Sequence, residues 1–507
     1  MRTQALESLP PRTRVVPATV WMPPRTLHDL LAALPAARVE GDAGVPVEGI
    51  AHRSGDAAPG SLFFAVPGTR VDGHDFAPDA VAAGARVVVV ERLLELPGHI
   101  TQVVVPSVRA VMGPVAAAFH ERPAEELVMV GVTGTNGKTT TTFLLERIFA
   151  AAGWMPGVIG TTGIRIDGAP VGSDRTTPEA PDLHRLLAEM RELGVRGVSM
   201  EVSSHGLEQR RVGGIRFASA VFTNLSQDHL DYHGTLEEYL AAKAMLFTPE
   251  MAEQAAINHD SPEGRTLAGR IPTVTFGLGE GADLRAVDVR LGPDGVAFSA
   301  GGLHIRSRLR GAFNVHNALG AMAAARQVGV PDPAIVDGIA ALGGVPGRME
   351  PVEAGQPFQV LVDYAHTPDS IENVLRAARP LAGEHRVIVV FGCGGDRDRG
   401  KRPLMGRAAT SLADLTVVTS DNPRSEEPTA IVAEIEPGAR EGGGRYVTEV
   451  DRRAAIHEAL SEARPGDVVI VAGKGHETGQ EFADRIVPFD DRVVAREELE
   501  AILGATR

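Results

Sequence analysis

Leu127-Val-Met-Val-Gly-Val-Thr-Gly-Thr-Asn-Gly-Lys-Thr-Thr140 is the stretch that decides the fold. Residues 127–132 are a short apolar run of the kind a buried parallel strand requires. The glycines that follow let the backbone turn its N–H groups toward an anion. A helical pattern then starts at Thr139 and stops at Gly153. Strand, glycine-rich turn and helix together read as a phosphate loop, to which the helix N-terminus adds partial positive charge. In this reading Gly134, Thr135, Asn136, Gly137, Lys138, Thr139 and Thr140 hold ATP. Lys138 reaches the β- and γ-phosphates, and the Thr139 hydroxyl holds Mg²⁺. The spacing departs from the usual pattern: the first glycine should fall at 132, which is Val132, and glycines stand at 131 and 134 instead.

Outward from the loop, short apolar runs alternate with helical patterns, the sequence form of α/β architecture. Upstream, 86–91 and 102–105 read as buried strands. Downstream, strands are expected at 195–202, 218–225 and 254–258, followed by a β-rich stretch at 273–310 and a helix at 317–328. Gly343-Gly-Val-Pro-Gly347 reads as a hinge. Beyond it the alternation resumes, with strands near 358–362, 386–391, 415–419 and 467–471. The expected organisation is a floppy extension over 1–25 and domains over 26–110, 111–345 and 346–507, since 507 residues are too many for one core.

Composition narrows the function classes. Asp+Glu number 65 against 50 Lys+Arg, a formal net charge of -15. That argues against broad binding of nucleic acid or anionic membrane. Aromatics are only 4% of the chain, too few for a base-stacking surface. No apolar run reaches the roughly 18 residues that span a bilayer, so membrane insertion is not expected. The one cysteine, Cys393, excludes an intrachain disulfide and fits a reducing cytoplasm.

Only four of the cationic residues are lysines: Lys138, Lys243, Lys401 and Lys474. An ammonium and a guanidinium are not interchangeable, so the exceptions carry information. Thr235-Leu-Glu-Glu238 is a capping-box signature. On the helix it opens, Leu236, Tyr239, Leu240, Lys243, Leu246 and Phe247 share one apolar stripe. Lys243 either snorkels to the surface or is desolvated, with a depressed pKa and a reactive amine. An expected strand end carries Glu201-Val-Ser-Ser-His205, and Thr223-Asn-Leu-Ser-Gln-Asp-His229-Leu-Asp-Tyr-His233 lies just upstream of the helix; a carboxylate and an imidazole from these stretches could complete a metal site with Thr139. Lys401 and Lys474 have no role that the sequence assigns.

Taken in order, these motifs resemble the Mur ligase family, the ATP-dependent enzymes that build the peptidoglycan stem peptide. The resemblance rests on Gly134-Thr-Asn-Gly-Lys-Thr-Thr140, Glu201-Val-Ser-Ser-His205, Tyr239-Leu-Ala-Ala-Lys243, Phe313-Asn-Val-His-Asn317, Gly347-Arg-Met-Glu350, Asp363-Tyr-Ala-His366 and Gly473-Lys-Gly-His-Glu477. It runs from about residue 45 to 490 and implies three domains: a uridine-nucleotide domain, a central P-loop ATPase domain and a Rossmann-like C-terminal domain. Asp421-Asn422-Pro423-Arg424 is similar to the motif by which members recognise meso-diaminopimelate.

The resemblance also implies roles. Lys243 corresponds to the lysine carbamylated by CO₂, and Glu201, His229 and Thr139 to magnesium ligands beside it. Lys138, Lys243, Glu201 and His229 are the expected catalytic set. Ser54, Thr69, Arg70 and Val71 fall where the uridine nucleotide is held. Thr176, Thr177, Ser203, Gln209 and Arg211 fall where the peptidyl-muramoyl part is held. Arg397, Asp421, Asn422, Pro423, Arg424, Gly473 and Glu477 correspond to the diaminopimelate site, and Asn317, Arg348 and Asp363 approach the adenine nucleotide. The implied substrates are UDP-N-acetylmuramoyl-L-alanyl-D-glutamate, meso-diaminopimelate and ATP, and the implied form is a cytoplasmic monomer. Arg424 suits a distal carboxylate that lysine lacks, so rejection of lysine on the order of 10⁴ is expected if the pocket is fully desolvated. His52-Arg53-Ser54 departs from the Asp-Ser-Arg of many members. A lysine-adding relative, a folylpolyglutamate-synthase-like ligase and a silent nucleotide-binding regulator remain the alternative readings.

Overall fold

The computed structural model describes residues 25–34, 36–68, 71–171 and 175–505. The expected extension therefore lies outside the described residues except for Arg25, which is not floppy but pairs as a strand with Val47. Thr69 and Arg70 also lie outside them. The chain is α/β throughout and divides into two compact units, 1–123 with 180–194, and 124–179 with 195–507.

The first unit is built on a five-stranded sheet in the order Arg38–Glu40, Thr101–Val104, Val87–Val90, Ser61–Phe64, Gly49–Ala51. Its pairs are parallel except for the one that Arg38–Glu40 makes. Val87–Val90 is buried at every position because helices cover both faces of the sheet. Val87 and Val89 pack with Val108, Val111, Met112 and Val115 on one side, and Val88 and Val90 with Ala77 and Ala80 on the other. Val108–Phe119 is thus a core helix of this unit, and the domain boundary expected at 110/111 falls inside it. The helix Ala180–Glu192 also belongs to this unit, packed on Val108–Phe119. The contiguous central domain expected over 111–345 is corrected at both places, because apolar helix faces rather than sequence position decide which core a segment joins.

The second unit contains two domains built on mainly parallel sheets; in the first of them Gly163–Ile166 pairs antiparallel with both Pro156–Gly160 and Ala169–Pro170. The first sheet has nine strands in the order Ala169–Pro170, Gly163–Ile166, Pro156–Gly160, Gly197–Glu201, Val128–Thr133, Ser219–Phe222, Ala255–Asn258, Thr273–Gly277, Leu284–Arg285. An antiparallel three-stranded sheet, Val287–Gly292, Gly295–Ala300 and Leu303–Ser307, forms the rest of the β-rich stretch. The strand expected at 218–225 closes at Phe222, and the helix expected at 317–328 begins four residues earlier, as Phe313–Gln327.

The second sheet has six strands in the order Glu350–Pro351, Gln359–Asp363, Val468–Ala472, Val387–Cys393, Leu415–Ser420, Tyr446–Thr448, and only the first edge pair is antiparallel. Val345 packs in the core of the first domain and Met349 in that of the second, so the chain crosses between the two cores at 345–349. Among the described residues no helix is long and apolar enough to cross a membrane.

Candidate active site

In a parallel sheet every strand delivers its following loop to the same edge, and open α/β sheets bind ligands beyond those carboxyl ends. In the nine-stranded sheet Thr133 leads into the phosphate loop, Glu201 ends its strand, and Phe222 leads into the 223–229 segment. In the six-stranded sheet the loops after Asp363, Cys393, Ser420 and Ala472 carry the motifs beginning at Asp363, Gly394, Asp421 and Gly473. Residues of both domains line one cavity of about 1140 Å³, including 135–140, Glu201, Asp228, His229, Lys243, Asn317, Arg348, Asp363 and His366.

The phosphate loop is held from behind by the 223–226 segment. Thr135 N donates to Asn224 O at 2.9 Å, and Asn136 N donates to Asn224 Oδ1 at 2.9 Å. Thr223 Oγ1 donates to Asn136 O at 2.6 Å. Lys138 curls back on its own loop, donating to Gly134 O at 2.9 Å and Thr135 O at 2.7 Å. Gly134 is obligatory: its φ is +146, and an added Cβ would lie 1.9 Å from Thr223 Oγ1. Gly134→Ala is expected to destabilise the folded chain by about 2 kcal/mol or more, read as a drop in the urea midpoint and accompanied by loss of nucleotide binding. An unchanged midpoint would show that the loop tolerates a side chain there. Asn317 closes the other side of the loop, where a Cβ on Gly137 would meet its Oδ1 at 2.3 Å.

Lys243 does not snorkel. It sits on the helix Leu236–Ala244, whose Thr235 cap accepts from Glu238 N at 3.1 Å. Its side chain is buried at 1% exposure, and Nζ donates to the same Gly134 carbonyl at 2.8 Å. Burial, reinforced by the nearby Lys138 charge and opposed by Asp228, holds its pKa well below the ordinary lysine range. The desolvated alternative is therefore the one realised. The expected apolar stripe is corrected at Leu236, which is 40% exposed because it opens the helix on the solvent side.

The expected magnesium ligands each have a present partner. Glu201 Oε1 and Oε2 accept from Thr161 N and Thr161 Oγ1, each at 3.0 Å. Thr139 Oγ1 accepts from Arg348 Nη2 at 3.0 Å. His229, at φ +54, stands 3.4 Å from Asp228. Among the described residues no three His, Cys, Asp or Glu side chains converge on a metal position. The expected set contains only two of those types, a carboxylate and an imidazole. The Glu201 carboxylate and the Thr139 hydroxyl are oxygen donors of the kind a hard divalent cation takes, and the buried Lys243 reaches the same phosphate loop through Gly134 O.

Asp228 joins the two domains. Lys401 Nζ donates to its Oδ1 at 3.2 Å, and His366 Nε2 lies 3.5 Å from its Oδ2. Burial raises the Asp228 pKa, but the hydrogen bond from His366 and the charge of Lys401 outweigh it and hold the carboxyl well below its usual range. Gln227 Nε2 reaches Asp398 Oδ2 at 3.0 Å, and Asn136 Nδ2 reaches Asp369 Oδ2 at 2.8 Å. Asp363 accepts from Met349 N at 2.7 Å and Ala365 N at 2.8 Å, and Arg348 lies over the Tyr364 ring at 4.6 Å.

The residues expected at the muramoyl peptide gather beside Glu201. Thr176 Oγ1 is 3.1 Å from Thr161 Oγ1, and Thr177 Oγ1 is 3.1 Å from Ser203 Oγ and donates to Glu201 O at 3.0 Å. Arg211 donates to Thr177 O at 3.0 Å and to Gln209 Oε1 at 2.6 Å. Ser54 begins a short 3₁₀ turn in the first unit, where Val71 is 61% exposed.

In the second domain Arg424, at φ +51, donates to Glu481 Oε2 at 2.9 Å and Gly395 O at 2.8 Å. Gly394 places both Arg424 Nη1 and Arg397 Cγ within 4 Å of where its Cβ would be. Asn422 Nδ2 donates to Glu477 Oε2 at 2.9 Å. Gly473, at φ +118, has room for no Cβ, which would lie 2.6 Å from Asp421 Oδ2. Pro423 packs its carbonyl against Gly395. Sequence reasoning gave no role to Asp228, Arg452 or Lys474. Arg452, fully buried on Asp491, donates to Ser420 O at 3.1 Å and Ala472 O at 2.9 Å, clamping the two strand ends from which the 421 and 473 motifs spring. The signal for Lys401 and Lys474 was the scarcity of lysine. Arg452, among many arginines, gave none.

Known proteins match this arrangement over most of the chain. The chain fits the models of the Mur ligase family catalytic domain over 46–129, the Mur ligase middle domain over 132–325, and the Mur ligase glutamate ligase domain over 347–475. It is 46% identical over 483 residues to a UDP-N-acetylmuramoyl-L-alanyl-D-glutamate–2,6-diaminopimelate ligase of Geobacillus thermodenitrificans, covering 93% of this chain and 98% of that one. A Streptomyces avermitilis protein of the same name is 45% identical over 506 residues, covering 95% and 99%. A solved structure under that name is 35% identical with a TM-score of 0.67, covering 95% of this chain and 99% of that one. The likeness to a MurF structure from Acinetobacter baumannii, 22% identical with a TM-score of 0.66, concerns the fold alone. With three consecutive domain models and full-length relatives of this identity, the chain belongs to the Mur ligase family.

Proposed function

We propose that this chain is the ATP-dependent ligase that joins meso-diaminopimelate to the D-glutamate of UDP-N-acetylmuramoyl-L-alanyl-D-glutamate, a step of peptidoglycan precursor synthesis. The observation that carries the choice of amino acid is Arg424, held out on a strained backbone by Glu481 and the Gly395 carbonyl beside Glu477 and Asn422. The names of the full-length relatives support the same reaction.

In this reading ATP phosphorylates the D-glutamate γ-carboxylate, an acyl phosphate forms, and ADP is left. The diaminopimelate amine attacks the acyl carbon, the tetrahedral adduct expels phosphate, and an amide remains. The protein contributes positioning and charge. Lys138 exchanges the Gly134 and Thr135 carbonyls for phosphate oxygens. Asn317, Arg348 and Asp363 border the nucleotide, and Thr135, Asn136, Gly137 and Thr140 shape its phosphate cradle. Mg²⁺, when bound, neutralises charge on the triphosphate, and Thr139, Glu201, His229 and Lys243 as its carbamate would hold it. Thr176, Thr177, Ser203, Gln209 and Arg211 are assigned to the peptidyl-muramoyl group. Ser54, Thr69, Arg70 and Val71 are assigned to the uridine nucleotide. Arg397, Asp421, Asn422, Pro423, Arg424, Gly473 and Glu477 are assigned to diaminopimelate. A cytoplasmic monomer working on soluble substrates completes the proposal.

The test is phosphate release with ATP, Mg²⁺ and the nucleotide peptide, with meso-diaminopimelate or L-lysine as acceptor. Turnover that requires all components and meso-diaminopimelate is the expected result. Turnover with lysine would overturn the amino-acid assignment, and turnover with neither would overturn the ligase reading.

A further inference from the structure

Lys474 has a side chain with 0% exposure, in a chain with only four lysines. Lysine is almost never fully buried unless its charge is paired. Its ammonium carries three donors and no acceptor, and three oxygens meet it: Asn422 Oδ1 at 2.8 Å, Glu477 Oε2 at 3.1 Å and Asp421 Oδ1 at 3.7 Å. Those oxygens belong to two loops that follow strands Leu415–Ser420 and Val468–Ala472, and the strand Val387–Cys393 runs between the two. Two of its donors are taken by hydrogen bonds, the third faces the Asp421 carboxylate at ion-pair distance, and at 0% exposure the ammonium is turned inward to these partners.

What it does instead is visible in its partners. Glu477 Oε2 accepts from both Lys474 and Asn422 Nδ2, and Asn422 Oδ1 accepts from both Lys474 and Glu481 N. Glu477 is therefore gripped through one oxygen, while Oε1 takes no hydrogen bond from the described residues and the side chain stays 31% exposed. A carboxylate fixed through one oxygen and open at the other is a preorganised acceptor for a ligand's ammonium. Arg424 is built the same way: Nε and Nη1 are engaged by Glu481 and Gly395, and Nη2 makes no hydrogen bond to the described residues. The two open groups match one ammonium and one carboxylate.

We propose that Lys474 is a positioning residue for amino-acid selection: it locks Glu477 and Asn422 so that Glu477 Oε1 is presented to the ammonium of the incoming amino acid. This rests on reading the 421 and 473 loops as the amino-acid site. Arginine could not substitute, since a planar fork does not fit three converging acceptors around a point charge.

The test is Lys474→Met in the full-length enzyme, with separate KM values for each substrate. The KM for meso-diaminopimelate is expected to rise about 30-fold, in the range that partners standing behind a binding group typically contribute. The KM values for ATP and nucleotide peptide should stay within about threefold. The acyl phosphate, trapped by hydroxylamine as a hydroxamate without amino acid, should form at the wild-type rate. Ile456→Val, a core change under the same sheet, is the control for lowered stability alone. Three raised KM values together, or an unchanged meso-diaminopimelate KM, would overturn the proposal. If Lys474→Met does not fold, Lys474→Gln, which keeps two donors, is read the same way with a smaller expected rise. Absence of hydroxamate and phosphate release in the wild type would instead overturn the ligase reading beneath it.

Discussion

Lys243→Ala is expected to lower kcat by about 10³-fold and to regain part of that loss when formate or acetate is added. The magnitude follows from charge stabilisation worth about 4 kcal/mol at a reacting phosphoryl group. The rescue follows from the geometry. Lys243 Nζ donates to Gly134 O at 2.8 Å and lies 4.3 Å from the centre of the Tyr239 ring, and among the described residues no carboxylate is hydrogen-bonded to it. A buried, uncompensated ammonium is costly, and burial with the Lys138 charge favours the neutral amine. A neutral amine can take up CO₂, and the product is an anionic oxygen donor beside the phosphate loop, where Lys138 supplies the opposite charge. A small carboxylate entering the space left by alanine restores that donor without the covalent bond. Gly134 O keeps its bond from Lys138 in the variant, so the loop has no reason to collapse, and a thermal midpoint close to wild type should accompany the activity loss. Lys243→Arg is expected to be inactive and beyond rescue, because a guanidinium fills the space and does not carbamylate. Full activity of Lys243→Ala without added carboxylate would remove the carbamate from the mechanism.

Much of this site was legible in the chain because the residues that build it cluster at strand ends, where local pattern and function coincide. The 127–140 stretch gives strand, turn and helix in sequence order, and the structure keeps that order within a residue or two. Lys243 was legible as an anomaly, a cation on an apolar stripe, although whether it snorkels was a tertiary question that only packing against the phosphate loop could decide. The strand expected to run to 225 was overread because Leu225 continues the apolar pattern. In the fold the chain leaves the sheet after Phe222 so that Thr223 and Asn224 can serve the loop's backbone. The first domain boundary was misplaced for a different reason. Val108–Phe119 and Ala180–Glu192 carry ordinary amphipathic patterns, and nothing in an amphipathic pattern names the core it will join. Asp228 and Arg452 were invisible because their roles lie in long-range pairing, to Lys401 at 3.2 Å and to strand-end carbonyls, which no spacing encodes.

Arg424→Ala is expected to lower kcat/KM for meso-diaminopimelate by about 10³-fold while changing the poor use of L-lysine little. The structure also revises the size of the wild-type discrimination. Rejection of lysine on the order of 10⁴ presumes a desolvated guanidinium left without partners. Arg424 is instead 20% exposed at its side chain, and it is already held by Glu481 at 2.9 Å and Gly395 O at 2.8 Å. Lysine would therefore leave it paired. A distal carboxylate can take Nη2 directly and draw Nη1 from the Gly395 carbonyl, forming two ion–ion bonds at about 3 kcal/mol each and giving up one bond from the guanidinium to a neutral carbonyl, about 2 kcal/mol. The difference, about 4 kcal/mol, is about 10³-fold, and that is the discrimination expected of the native enzyme. Arg424→Lys keeps the charge and loses the fork, so it should recover only a small part. Competition assays with both amino acids present measure the ratio directly. A ratio near one in the native enzyme would take carboxylate reading away from Arg424, and a ratio that survives in Arg424→Ala would assign it to another cation, with Arg397, next to it across Gly394, as the residue to change next.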